Sequence, residues 1–145
     1  MKINYSLELI LLTGGLQKKM ITRNKEWYEN WKKPNLINGF NERGYWIDGV
    51  EGLEFGFGID ISKFTYINST YGVKIGNYVQ IGQHCSILSC STIGDRSGKI
   101  EIGDNTLIGS HSTIMPNIKI GKNCIIYAYS YIDKNIEDGT KWKNR

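Results

Sequence analysis

Histidine and cysteine are scarce in this 145-residue sequence, and their scarcity narrows what the chain can be. Three cysteines, Cys85, Cys90 and Cys124, form no CxxC pair and cannot all pair within one chain, so neither a disulfide framework nor a zinc knuckle is supported. Free thiols fit a reducing cytoplasm. The most apolar N-terminal stretch, Leu7 to Leu12, contains Glu8 and is too short for a signal h-region or a membrane span, and no small-residue cleavage site is evident. Neither export nor a membrane partner is expected. Basic residues exceed acidic ones by only 18 to 14, and the net charge of +4 is spread along the chain, so no nucleic-acid partner is expected either. Such mild basicity suits an anionic small ligand equally well. The length leaves room for one domain.

What the sequence does hold is an internal period of six, and a repeat decides the architecture before any single element does. Aliphatic residues recur at Ile75, Ile81, Ile87 and Ile93, then after a nine-residue step at Ile102, Ile108, Ile114, Ile120, Ile126 and Ile132. Glycine follows at 76, 82, 94, 103, 109 and 121. Four residues after most of these anchors lies a second small or apolar side chain: Val79, Cys85, Ser91, Thr106, Ser112, Ile118, Cys124 or Ser130. This period fits neither an α-helix nor a plain hairpin. It fits a short strand plus a turn that bends the chain by about a third of a coil. Three such units close a triangular prism, and stacked coils bury a column that no single repeat could bury alone.

The expected fold is therefore all-β, a left-handed parallel β-helix spanning 53–136 in about four coils. Phe55, Ile61 and Ile67 keep the period less cleanly, and the step from Ile93 to Ile102 should eject Asp95-Arg96-Ser97-Gly98-Lys99 as an external loop. The glycines should relieve crowding or allow unusual backbone angles at the corners. Residues 1–52 lack the repeat and hold Trp27, Tyr28, Trp31, Tyr45 and Trp46; they read as a capping segment, helical around Asn24 to Trp31. Residues 137–145 form a tail in which Trp142 helps to close the other end.

From Val73 to Ile136 the sequence resembles the hexapeptide-repeat acyltransferase superfamily, closest in look to its sugar O- and N-acetyltransferases. The run IEIGDNTLIGSHSTIMPNIKIGKNCIIYAYSYIDKNI carries the likeness. The resemblance implies a homotrimer with active sites in grooves between neighbouring prisms, and acetyl-CoA as co-substrate lying along the coils. It implies transfer of an acetyl or short acyl group to a hydroxyl or amine of a sugar or nucleotide sugar. Two departures stand out. Serine acetyltransferases carry a histidine where this chain has Ser97 and Gly98, which puts serine as acceptor in doubt, and Asp138 to Arg145 lacks the Gly-x-Pro-Ala-type tail that forms part of the coenzyme wall.

Acyl transfer needs a base to take the acceptor's proton and donors for the oxyanion. Only His84 and His111 are available as imidazole bases, each three places after its anchor and so outward at a turn. Counted through Ile93, four hexapeptide steps separate the anchors, one coil plus one face, which puts the two histidines on different faces of one chain. They would meet only across a groove between chains. His84 is favoured as the base, with His111 as a second candidate or an orienting group. The coenzyme groove is expected at the small residues Ser110, Ala128 and Ser130, with Lys122 and Lys134 for the phosphates. Tyr127, Tyr129 and Tyr131 should face outward, and Trp46 and its aromatic neighbours, with Asp48 and Glu51, could contact a sugar or simply cap. A metalloenzyme of this fold, resembling the γ-class carbonic anhydrases, would need three histidines per site, so no metal is expected. The other reading is a non-catalytic trimeric β-helix scaffold or sugar-binding module.

Overall fold

Two inward side chains in every six residues leave room only for a short strand and a sharp corner. That is what the chain builds in the computed structural model, which describes residues 23–144. The chain divides into two units, Met1–Lys32 and Lys33–Arg145. In the first, α1 (Lys25–Glu29) starts at Asn24, whose side chain accepts a hydrogen bond from the Trp27 N–H at 2.9 Å. It falls inside the helical stretch expected at 24–31. Residues 1–22 of the expected cap lie outside the described part.

The second unit is a stack of parallel turns. The first coil holds β1 (Trp46–Asp48), β2 (Leu53–Phe55) and β3 (Asp60–Ile61), and the second β4 (Tyr66–Asn68), β5 (Val73–Ile75) and β6 (Gln80–Ile81). The third contains β7 (Ser86–Leu88), an antiparallel hairpin of β8 (Cys90–Ser91) and β9 (Arg96–Ser97), then β10 (Ile100–Ile102) and β11 (Leu107–Ile108). In the fourth run β12 (Thr113–Ile114), β13 (Lys119–Ile120) and β14 (Ile125–Ile126); β15 (Tyr131–Ile132) and β16 (Lys141–Trp142) end the stack. Strands from successive coils pair in three sheets: a first face of β1, β4, β7, β12 and β15, a second of β2, β5, β10 and β13, and a third of β3, β6, β11, β14 and β16. The fold is the expected left-handed parallel β-helix.

Its limits and its register differ from the sequence reading in two ways. The stack starts at Trp46, before the expected Leu53, because Ile47 pairs with Ile67, and it runs on to Trp142, which pairs with Ile126. Ile93 is not an anchor. It is fully exposed in the β8–β9 hairpin, so the excursion takes the chain out of the prism after Ser89 and returns it at Ile100, a wider detour than the expected five-residue loop. Ser91 leaves the inner column with it. A hexapeptide pattern read along one strand cannot tell an inward isoleucine from one in an inserted hairpin of matching length.

Inside, Ile47, Ile67, Ile87, Ile114 and Ile132 form one column on the first face, all essentially inaccessible to water. The smaller inner position is often a hydroxyl, and the threonines there reach a carbonyl of the next coil: Thr65 Oγ1 donates to Gly82 O at 2.7 Å and Thr106 Oγ1 to Gly121 O at 2.8 Å. A buried hydroxyl left unpaired would cost free energy, and these are paired. The glycines after the anchors serve close approach. A Cβ on Gly82 would stand 2.6 Å from the Ser110 backbone N, closer than any real contact. Left-handed backbone falls two residues later, on side chains that include Phe64, His84, His111 and Tyr129.

Ile114→Ala should cost about 2–5 kcal/mol of unfolding free energy in urea titration, whereas Ile93→Ala should stay within about 0.5 kcal/mol. Equal losses at both positions would contradict this register.

Candidate active site

Every coil turns the same corner between the third and first faces, and coils repeat at about the strand spacing of 4.8 Å, so like positions stand over one another. The left-handed residue of that corner is Phe64, then His84, His111 and Tyr129. Their rings form a continuous ladder. Phe64 and His84 lie 4.9 Å apart at 21°, His84 and His111 4.8 Å apart at 9°, and His111 and Tyr129 4.8 Å apart at 3°. Such spacing belongs to offset-stacked rings, set here by the backbone repeat.

The two histidines therefore share one corner, one coil apart, where the sequence reading had them on different faces. The cause is Ile93: with it removed from the count, Ile81 to Ile108 is three steps, one full coil. Both imidazoles are exposed, and their faces are covered by neighbouring rings. The ring edge, which carries both nitrogens, is what a ligand would meet. Among the described residues no group of three His, Cys, Asp or Glu side chains is placed to hold a metal.

The residues expected to hold a coenzyme scatter over this chain. Ser110 and Ala128 do lie on the histidine corner, in successive coils, with Ser110 half-buried and Ala128 exposed. Ser130 does not line a groove. It is 2% exposed and its Oγ donates to Tyr127 O at 2.5 Å, because an inward position four residues after Ile126 belongs to the core. Lys122 sits at the corner between the second and third faces, beside a 400 Å³ groove that also holds Lys74, Glu101, Asp104, Lys119 and Asp138. Along that second face Glu54, Lys74, Glu101 and Lys119 alternate in register, and Lys99 reaches both glutamates at 3.7 Å, so its charges largely neutralise one another. Exposed Lys134 places its Nζ 5.1 Å from the Trp142 ring centre. Tyr127, Tyr129 and Tyr131 face outward, with Lys143 Nζ 4.7 Å from the Tyr127 ring centre.

A second cluster lies on the outer side of the first face. Asp48 Oδ1 accepts a hydrogen bond from Trp46 Nε1 at 2.7 Å, and Oδ2 accepts one from the Tyr66 hydroxyl at 2.6 Å. Those two donors, Tyr66 first, hold the Asp48 carboxyl below its ordinary value, while burial and then the Asp48 bond push the Tyr66 phenol up. Sequence reasoning singled out Trp46 and Asp48 but missed Tyr66, which joins them only through the parallel pairing of β1 with β4.

Fold and corner geometry are those of a left-handed β-helix built on a six-residue period. Residues 99–134 match the family described as bacterial transferase hexapeptide (six repeats). A serine acetyltransferase of Staphylococcus epidermidis is 36% identical over 94 residues, covering 61% of this chain and 44% of the relative. The bifunctional protein GlmU of Idiomarina loihiensis is 34% identical over 83 residues, covering 57% of this chain and 17% of the relative. Among solved structures, the serine acetyltransferase of Neisseria gonorrhoeae in complex with serine superposes with a TM-score of 0.56 and 26% identity, covering 70% of this chain and 40% of that one. This chain spans less than half the length of each. The resemblance to the hexapeptide-repeat superfamily drawn from its sequence holds in sequence and in structure, and the relatives include serine acetyltransferases as well as GlmU.

Two measurements test this geometry. His84→Phe keeps a flat ring in the ladder and should leave the thermal midpoint nearly unchanged, while His84→Ala should lower it. Because the folded Asp48 value lies below the ordinary 3.8, its contribution is present above that value and is lost as pH falls through the lowered one. Asp48→Asn should therefore flatten the fall of stability below about pH 4 in acid titrations followed by circular dichroism.

Proposed function

We propose that this chain is a coenzyme A-dependent acyltransferase that carries an acetyl or short acyl group to a hydroxyl or amine of a sugar or nucleotide sugar. The carrying observation is the shared corner: the chain's two histidines stack 4.8 Å apart, both exposed, next to the small residues Ser110 and Ala128. Relatives named as acetyltransferases support the class. In this reading acetyl-CoA is the acyl donor, its thioester arm passing Ser110 and Ala128, and assembly as a homotrimer supplies the opposite wall of the groove, to which Lys122 and Lys134 of other copies contribute.

His84 acts as the base. Its free nitrogen takes the proton from the acceptor hydroxyl or amine as that atom attacks the thioester carbonyl, forming a tetrahedral oxyanion. Collapse breaks the carbon–sulfur bond, and the departing thiolate recovers the proton from the imidazolium. Stacking between Phe64 and His111 fixes the plane of the ring, so His111 serves as an orienting group. A second reading, a non-catalytic scaffold or sugar-binding module, draws on the same ladder, since stacked corner rings also stabilise a β-helix without chemistry.

Saturating acetyl-CoA should raise the thermal midpoint by ligand linkage. Thiol release with sugar acceptors should fall about 10²–10⁴-fold in His84→Phe, the range for a lost general base, with the midpoint unchanged. Full turnover in His84→Phe with loss in His111→Phe would transfer the role to His111. No midpoint shift and no thiol release in the parent protein would favour the scaffold.

A further inference from the structure

The first coil carries a surface that neither the prism nor the histidine corner requires. Trp46 is 43% exposed and Phe40 47% exposed, their ring centres 6.1 Å apart at 50°, forming two open aromatic faces side by side. Phe40 is held there by an antiparallel bridge to Trp46. Exposed rings of this size normally find cover, since each buries a large apolar area when it can. At their edge stands the carboxylate of Asp48. Exposed carboxylates usually swing freely, but this one is pinned by two charge-assisted hydrogen bonds, one to each oxygen, from Trp46 and Tyr66. Each oxygen keeps a further lone pair turned to solvent.

The geometry points to a platform for a pyranose ring at Phe40, Trp46, Asp48 and Tyr66, with the C–H face of the sugar on the indole and its hydroxyls donating to the pinned carboxylate. A sugar is the ligand class that needs both halves of this surface. Its ring has an apolar face that an aromatic plane can desolvate, and an equator of hydroxyl donors that a fixed acceptor can orient. A ligand carrying only charge would not use the rings, and a purely apolar one would strand the carboxylate. As acceptor subsite, the platform rests on the acyl-transfer reading, and its position suits that role. Tyr66 pairs with Ser86 of the next coil, two residues beyond the corner residue His84 and about 8 Å from it by strand spacing and rise, so a sugar seated on Trp46 and Tyr66 extends towards the base.

Binding and turnover test the two layers separately. Saturation-transfer NMR of the full chain with the methyl glycosides of glucose, galactose and mannose, and with L-serine as the non-sugar probe, needs no coenzyme. At least one methyl hexoside should bind through its ring C–H protons, and its affinity should fall about tenfold in Trp46→Ala and in Asp48→Asn, the loss expected of one ring or acceptor contact. Tyr66→Phe, which only unpins the carboxylate, should weaken binding less than Asp48→Asn, and thermal midpoints confirm that each variant is folded. In thiol-release assays Trp46→Ala should raise the KM for the sugar and leave the KM for acetyl-CoA at its parent value. Binding of no hexoside, binding of serine alone, or hexoside binding unchanged in both Trp46→Ala and Asp48→Asn overturns the platform. Hexoside binding lost in those variants, from a parent protein that releases no thiol, retains the platform and overturns acyl transfer.

Discussion

One distance governs this molecule, the separation between a coil and the next. Backbone bonds such as Gly82 N–H to Ile108 O at 2.8 Å and Gly109 N–H to Ile126 O at 2.7 Å hold successive turns at the spacing of a parallel sheet. Each position of the turn then stands directly over its counterpart. Inside, that superposition makes columns of isoleucine and lets a threonine reach the carbonyl above it. At corners such as those of Gly82, Gly103 and Gly109 it brings backbones so near that an added Cβ would clash with the next coil. Outside, it stacks rings on one corner and alternates charges along the second face.

The same constraint shapes the site. A globular enzyme can fold distant segments around a pocket, whereas a stack of turns lines up residues a coil apart into stripes. The candidate surface here is such a stripe. Phe64, His84, His111 and Tyr129 run along one corner, and Trp46, Asp48 and Tyr66 begin the adjoining face. Chemistry on it must work along the stripe or between neighbouring stripes.

Left-handed backbone at a bulky side chain carries a cost of roughly 1–3 kcal/mol, and it persists only where the surroundings over-determine it. Here the corner recurs in coil after coil, with φ between 56° and 63° at Phe64, His84, His111 and Tyr129. Contact of each ring with the next offsets part of that cost. The strain falls on the residues proposed for chemistry and orientation, whose stacked rings stand within 3° to 21° of parallel from one to the next.

By itself the sequence determined the architecture, because a period of six with two inward positions has one economical solution, and ten aliphatic positions nearly all land in it. It also marked His84 and His111 as outward, since three places after an anchor is always a corner. It could not settle which turns belong to the stack. Ile93 keeps the spacing and the following glycine yet sits at full exposure in a hairpin, and that single miscount moved one histidine to the wrong face. Nor could it join Tyr66 to Asp48. Local spacing records which way a side chain points within its own turn. Only closure of the prism, in which residues 16 to 27 apart become neighbours through parallel pairing, decides what stands beside it.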